Sequence, residues 1–292
     1  MHGLEAFPEI IKTSEALAPY VNFKIGGPVE VLVQPRSREE LSAVVKHCFK
    51  NNVPLRVLGG GCNVLVRDEG VKGAVLRLSA PAFTTIDVQG QRVKAGAGAP
   101  LSVLISQAAR NSLGGLEALV GIQGTIGGAV HCNAGDRSGE IGHFTLRVEV
   151  MDRHGLIQVR ERDELRFAVG TSNIDDPVLL SAEFELEKDD ADAIVKRMRR
   201  AWIQRKARQP LTFQAAARIF KNPRGLAAGA LIEQAGLAKM RVGGAEISDR
   251  DPNFIVAHPE ATARDVLRLI DVVKSRVLER FNVELELEIA VW

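Results

Sequence analysis

An α+β fold is the class this sequence predicts. Short apolar runs bounded by turn residues dominate the first 187 or so residues, and longer segments with helical periodicity flank a few strands after Lys188. Glycine is concentrated in two clusters, Leu58–Val66 and Gly121–Gly135, each following or interrupting an apolar run. Glycine at that density lets backbone N–H groups approach an anionic ligand closely.

The elements follow in order. Residues 29–33 read as a strand. Ser37 and Glu40 form a capping-box pattern that opens a helix, with Leu41, Val44, Val45, Cys48 and Phe49 as its buried stripe. A strand at 55–58 runs into the first glycine cluster, and further strands are expected at 74–78, 84–88 and 92–95. Pro100 suits the first turn of a helix to Asn111, with Leu101, Leu104, Ile105 and Ala108 on one face. The second cluster reads as too short for a helix and too glycine-rich for a strand, so a ligand-wrapping loop is expected. Strands at 144–151 and 178–186 follow. A long helix begins after Lys188-Asp-Asp-Ala-Asp192 and ends near Arg208, its apolar side marked by Ile194, Met198, Ala201 and Trp202. Acids at its start and bases at its end suit the helix dipole. A short helix (228–235), a strand (254–257), a long helix (261–281) capped by Thr262 and a last strand (283–291) complete the chain.

The chain has 292 residues, 46% apolar and 25% charged, ordinary values for a globular protein. A net charge of +2 gives no reason to expect nucleic-acid or membrane partners. No apolar run reaches the roughly 20 residues needed to span a bilayer. The N-terminus lacks the pattern of a signal peptide. The three cysteines, Cys48, Cys62 and Cys132, are odd in number and lack Cys-x-x-Cys spacing, which argues against disulfides and against a zinc site. A reducing, cytoplasmic setting and no metal are therefore expected.

The first cluster is neither Gly-x-Gly-x-x-Gly nor a P-loop. A plain glycine-rich turn is the alternative, and the second cluster weakens it. In combination the motifs resemble the UDP-N-acetylenolpyruvoylglucosamine reductase family. The family's Gly-Gly-Gly-Ser-Asn-Leu-Leu-Val stands here as Gly59–Val66, with Cys62 for serine. Its Gly-Ile-Pro-Gly-Thr-Val-Gly-Gly-Ala and Asn-Ala-Gly stand as Gly121–Gly135, with Gln123 for proline. Phe23–Gly27, Gln209-Pro210, Phe220–Pro223, Leu231–Glu233, Gly243–Ala245, Asn253–Val256 and Val283–Glu288 also fit.

The resemblance implies a FAD-binding fold of the vanillyl-alcohol-oxidase (PCMH) type. Two α+β subdomains (1–80 and 81–187) would clasp FAD, and a C-terminal α+β domain (188–292) would bind substrate. It further implies reduction of UDP-N-acetylglucosamine enolpyruvate with NADPH in peptidoglycan precursor synthesis, by a compact, monomeric member of the family. The cofactor contacts so implied are Gly59, Gly60, Gly61, Cys62, Asn63, Gly121, Gly124, Thr125, Gly127 and Gly128. Arg208, Lys221 and Asn222 would contact the sugar nucleotide. His131 and Cys132 are expected to pack near the cofactor.

The chain departs from the family where its chemistry is done. Phe-x-Tyr-Arg-x-Ser stands as Phe167–Ser172, with Val169 and Gly170 in place of tyrosine and arginine. The proton-donating serine of the family is Arg218, while its glutamate remains as Glu288. One reading makes Arg218 the replacement cation for the enolate, with the proton coming from water, Glu288 or Lys221. Others are a changed substrate, or a flavin- or sugar-nucleotide-binding protein without turnover. The basic run Lys196–Arg208 reads as a solvated helix face, Arg208 excepted.

Overall fold

The computed structural model describes residues 3–136, 138–209, 215–223 and 225–292; the side chain of Arg208 lies outside that description. The chain forms two compact units. One comprises the residues up to Glu15, Glu30–Gly60 and Lys72–Gln204; the other comprises Ala16–Val29, Gly61–Val71 and Arg205–Trp292. The second unit thus takes two segments from well before residue 188.

Two sheets build the first unit. One has four strands in the order Ile11–Ala16, Pro28–Val33, Val71–Leu76, Leu55–Val57, the last pair parallel. Its core joins Val31, Val33, Ala74 and Leu76 to Leu41, Val44, Val45 and Cys48 of the helix Arg38–Lys50. That helix starts where expected, because the Ser37 hydroxyl accepts from the Glu40 N–H. Phe49, expected in the buried stripe, is 41% exposed, since it lies one position beyond the packed face.

The other sheet is antiparallel, ordered Ile157–Glu161, Thr145–Met151, Val178–Glu185, Arg92–Gly96, Ile86–Gln89. Against it pack Leu101, Leu104, Ile105 and Ala108 of the helix Leu101–Arg110. The helix Ala191–Arg208 buries Ile194, whereas Trp202 is 43% exposed and not part of an apolar side. Its inward stripe runs through 194, 198 and 201 at 3.6-residue spacing, which turns 202 outward.

The second glycine cluster differs from the loop expected. Ile126–His131 is a short helix, because Ile126, Ala129 and Val130 supply a buried i, i+3, i+4 stripe between the glycines. Gly127 packs so closely that an added Cβ meets the Ala97 Cβ at 3.0 Å.

The second unit has an antiparallel sheet ordered Ala216–Arg218, Phe254–Ala257, Ala245–Ile247, Arg241–Val242. Val266, Leu269, Ile270, Val273 and Val277 of the helix Ala263–Phe281 belong to the unit's core. Thr262 and Asp265 complete the capping box, and the Asp68 carboxylate accepts from the Ala263 and Arg264 N–H groups at 2.8 and 2.9 Å. Only Ala290–Val291 of the expected last strand is a strand, parallel to Val64–Leu65. The stretch before it is irregular, because its backbone groups bond to Ile219 and Lys221 instead of to one continuous neighbour.

Candidate active site

In the first unit the two glycine clusters meet. A cavity of about 290 Å³ opens between the strand end Val57-Leu58-Gly59, the turn at Leu78-Ser79, Ala97-Gly98, and Thr125, Gly127, Gly128 and His131. Space here depends on glycine. A Cβ on Gly59 falls 2.4 Å from the Thr125 Oγ1, and one on Gly98 falls 1.7 Å from the Leu78 carbonyl oxygen. Among the described residues, neither the Gly59 N–H nor the Thr125 hydroxyl has a hydrogen-bond partner within the protein. Both are donors available to a ligand. A narrow, glycine-walled cleft with such donors fits the phosphate-bearing part of a dinucleotide such as FAD.

Of the expected cofactor residues, Gly59, Thr125, Gly127 and Gly128 line this cavity, and His131 lies beside them. Gly121 and Gly124 lie outside the lining, in left-handed backbone with φ of +85° and +125°. The first cluster divides at Gly60. Gly61, at φ +66°, belongs to the second unit, where a Cβ would fall 2.3 Å from the Tyr20 carbonyl oxygen. Asn63 stitches backbone: its amide donates to the Glu288 carbonyl at 3.0 Å, and its carbonyl accepts from the Ala290 N–H. Burial pushes the Cys62 thiol up to about 11, with Lys24 pulling weakly the other way, so Cys62 is protonated near neutral pH.

Ala97 and Gly98 also line the cavity, and the run Ala95-Gly-Ala-Gly-Ala99 carries the sequence signal for them: only small residues fit. Asn133, with no such signal, is 2% exposed. The Asn133 amide donates to Glu140 at 2.7 Å and to the Ala168 carbonyl at 3.0 Å, and its oxygen accepts from the Gly142 N–H. The Ser172 hydroxyl donates to the His131 carbonyl at 2.9 Å. These bonds fasten the hairpin Phe167-Ala168/Thr171-Ser172 to the second glycine cluster. At its tip Val169 is 86% exposed, and Gly170 turns at φ +73° with nothing within 4 Å of an added Cβ. The positions where the resemblance expects tyrosine and arginine therefore form a bare tip.

In the second unit the structure brings Arg218 and Glu288 together, Nε to Oε2 at 3.3 Å. Arg218 ends the strand Ala216–Arg218. Buried Asn253 fixes the next residues: its carbonyl accepts from the Ile219 N–H, its side chain bonds both backbone groups of Phe220. The Glu288 N–H donates to the Ile219 carbonyl at 2.8 Å. Burial pushes the Glu288 carboxyl above the ordinary glutamate range, while the positive charges of Arg218 and Lys221 hold it back in part. Lys221 also reaches Glu286, Nζ to Oε2 at 3.4 Å. The Asn222 side-chain oxygen accepts from the Ala228 N–H at 3.0 Å and so anchors the start of the helix Ala228–Gln234. The side chain of Arg208, expected to contact the sugar nucleotide, lies outside the described residues.

Such a fold and cavity define a FAD-binding oxidoreductase. Residues 29–160 match the model of the FAD binding domain, and residues 209–292 that of the UDP-N-acetylenolpyruvoylglucosamine reductase C-terminal domain. Curated reductases of that name are 38% identical in Moorella thermoacetica (97% of this chain, 93% of the relative) and 36% identical in Rhodopirellula baltica (99% and 96%). The crystal structure of the reductase (MurB) from Thermus caldophilus superposes with a TM-score of 0.82 at 38% identity, over 97% of this chain and 98% of that one. The chain belongs to the UDP-N-acetylenolpyruvoylglucosamine reductase family, with FAD as cofactor. Its fold is the expected α+β FAD-binding fold followed by the family's C-terminal domain.

Proposed function

We propose that this chain reduces UDP-N-acetylglucosamine enolpyruvate to UDP-N-acetylmuramate with NADPH, as a cytoplasmic, monomeric enzyme of peptidoglycan precursor synthesis. Residues 1–80 and 81–187 serve the cofactor and 188–292 the sugar nucleotide. The carrying observation is the Arg218–Glu288 pair at 3.3 Å, a cation and a raised carboxyl side by side in the domain that names the family. FAD, when bound, supplies the two-electron chemistry, accepting a hydride from NADPH and returning one to the substrate's vinyl group.

The protein's part is charge and proton. Hydride arriving at one vinyl carbon builds enolate charge at the other, next to the substrate carboxylate, so a fixed cation is needed there. Arg218 fills that role. Arginine does not give up a proton at neutral pH, so Glu288, raised by burial, donates the proton that completes the second carbon. One hydride and one proton account for the two hydrogens added. Lys221, Asn222 and Arg208 bind the sugar nucleotide, and Gly59, Gly60, Gly61, Cys62, Asn63, Gly121, Gly124, Thr125, Gly127 and Gly128 surround the cofactor.

The bare hairpin tip at Val169–Gly170 favours a second reading: a family flavoprotein with another enol substrate, or one that binds without turnover. Stopped-flow kinetics separate the two. The first reading expects NADPH to bleach the flavin and the enolpyruvyl sugar nucleotide to restore its colour. Bleaching without recovery by that substrate refutes it.

A further inference from the structure

The helix Ala191–Arg208 carries a face that neither the cofactor nor the substrate reading uses. Its inward stripe is Ile194 with Met198 and Ala201. Its outward half holds Lys196, Arg199 and Arg200, all exposed, interleaved with Val195, Trp202 and Ile203, which are 39%, 43% and 66% exposed. Successive residues step about 100° around a helix, so these six fall on one continuous half. The charges on this half differ from the one on its flank. Arg197, on the flank, is neutralised by Glu117 at 2.6 Å and Asp189 at 2.5 Å. Arg36, Arg38, Arg147 and Arg160 each have a carboxylate partner as well. Among the described residues, Lys196, Arg199 and Arg200 have none. No acid stands between Ala193 and Arg208 in the sequence.

Cations without carboxylate partners beside exposed tryptophan and isoleucine offer an anionic membrane surface both charge and apolar anchors. The cations complement anionic head groups, and the tryptophan ring suits the boundary between head group and acyl chain. Nucleic acid would use the cations but gains nothing from Val195 and Ile203, which cannot stack on bases. We propose that this face docks the protein reversibly on an anionic lipid surface. Whole-chain charge is nearly balanced at +2, so the attraction is local to the helix. The helix lies on the surface and does not enter it: none in the described chain is long and apolar enough to cross a membrane.

Vesicle sedimentation tests this with the full-length, FAD-loaded protein. It is expected to pellet with vesicles of phosphatidylcholine containing one part in about three of phosphatidylglycerol, and not with phosphatidylcholine alone. Raising salt from about 0.1 to about 0.5 M should lower the bound fraction roughly tenfold. The variant K196E/R200E should lose binding, and W202S/I203S should lose most of it with the charges intact. Both variants change exposed positions, so circular dichroism and flavin content should stay as in the parent. Failure of the folded parent to pellet with anionic vesicles overturns the proposal. So does equal binding by K196E/R200E. Heparin or RNA binding unaffected by W202S/I203S, with no vesicle binding, would assign the face to a nucleic-acid-like polyanion instead and refute the lipid partner.

Discussion

Arg218→Ala isolates the role of the cation. The variant removes a guanidinium whose Nε stands 3.3 Å from Glu288, with the two side chains 38% and 31% exposed. At that exposure solvent screens the pair, so its loss costs about 0.5–1 kcal/mol of stability. A domain with about 5–15 kcal/mol in hand stays folded after that loss. Catalysis is hit harder. One preorganised group facing developing negative charge contributes about 10²–10³ in rate, or about 3–4 kcal/mol. Stopped-flow measurement of the two half-reactions separates the effects. Flavin content and reduction by NADPH should match the parent, while reoxidation by the enolpyruvyl sugar nucleotide slows by about 10²–10³. The variant also has a pH signature. Arg218 now holds Glu288 down against burial, so its removal lifts the carboxyl further. A carboxyl raised on folding contributes stability that is present below its unfolded value and lost as pH rises through its folded value. The stability deficit of Arg218→Ala should therefore be larger at neutral pH than near pH 4. Reoxidation of Arg218→Ala within about threefold of the parent would refute the role of Arg218.

Two further outcomes follow from contacts elsewhere. Gly59→Ala places a methyl 2.4 Å from the Thr125 Oγ1, so the purified variant should carry much less flavin by absorbance than the parent; flavin content equal to the parent's would refute the close-approach role of Gly59. Glu149 is pushed up by burial, but the Ser181 hydroxyl, Lys94 and Arg38 outweigh that and bring it down to about 2; its stabilisation is present above its unfolded value of 4.5 and fades as pH falls toward 2, so Glu149→Gln should cost about 2–3 kcal/mol in urea unfolding at pH 7 and far less near pH 2.

The helices were legible because their packing leaves a period in the sequence. Leu41, Val44, Val45 and Cys48 announce one face, as do Val266, Leu269, Ile270, Val273 and Val277. Strands that depend on distant partners leave little trace. Ile11–Ala16 is mostly polar and exposed, and Ala216–Arg218 is a strand only because Phe254–Ala257 pairs with it. The glycine clusters were legible as close-approach sites, but not which glycine serves what. Gly59 makes room beside Thr125, whereas Gly61 makes room for the backbone of Tyr20 and Val21. The Arg218–Glu288 contact was illegible from spacing, since the hydrogen bond from Glu288 to Ile219 that creates it joins segments far apart in the chain.

In the proposed reaction, that contact would link substrate binding to the proton needed. Asn253 and the Glu288–Ile219 bond fix the backbone on both sides, so the identity of residue 218 alters the charge there without altering the frame. With Glu288 ionised, Arg218 is engaged by its neighbour, and a substrate carboxylate must compete for the same guanidinium. With Glu288 protonated, the guanidinium is released to the incoming anion, and two carboxylates no longer face each other across it. An anion bound at Arg218 would therefore raise the Glu288 carboxyl beyond what burial already does. By linkage, binding would then favour the protonated form, the form of Glu288 that the proposed reduction requires. Arg218 would in this way supply the cation directly and keep the neighbouring acid loaded.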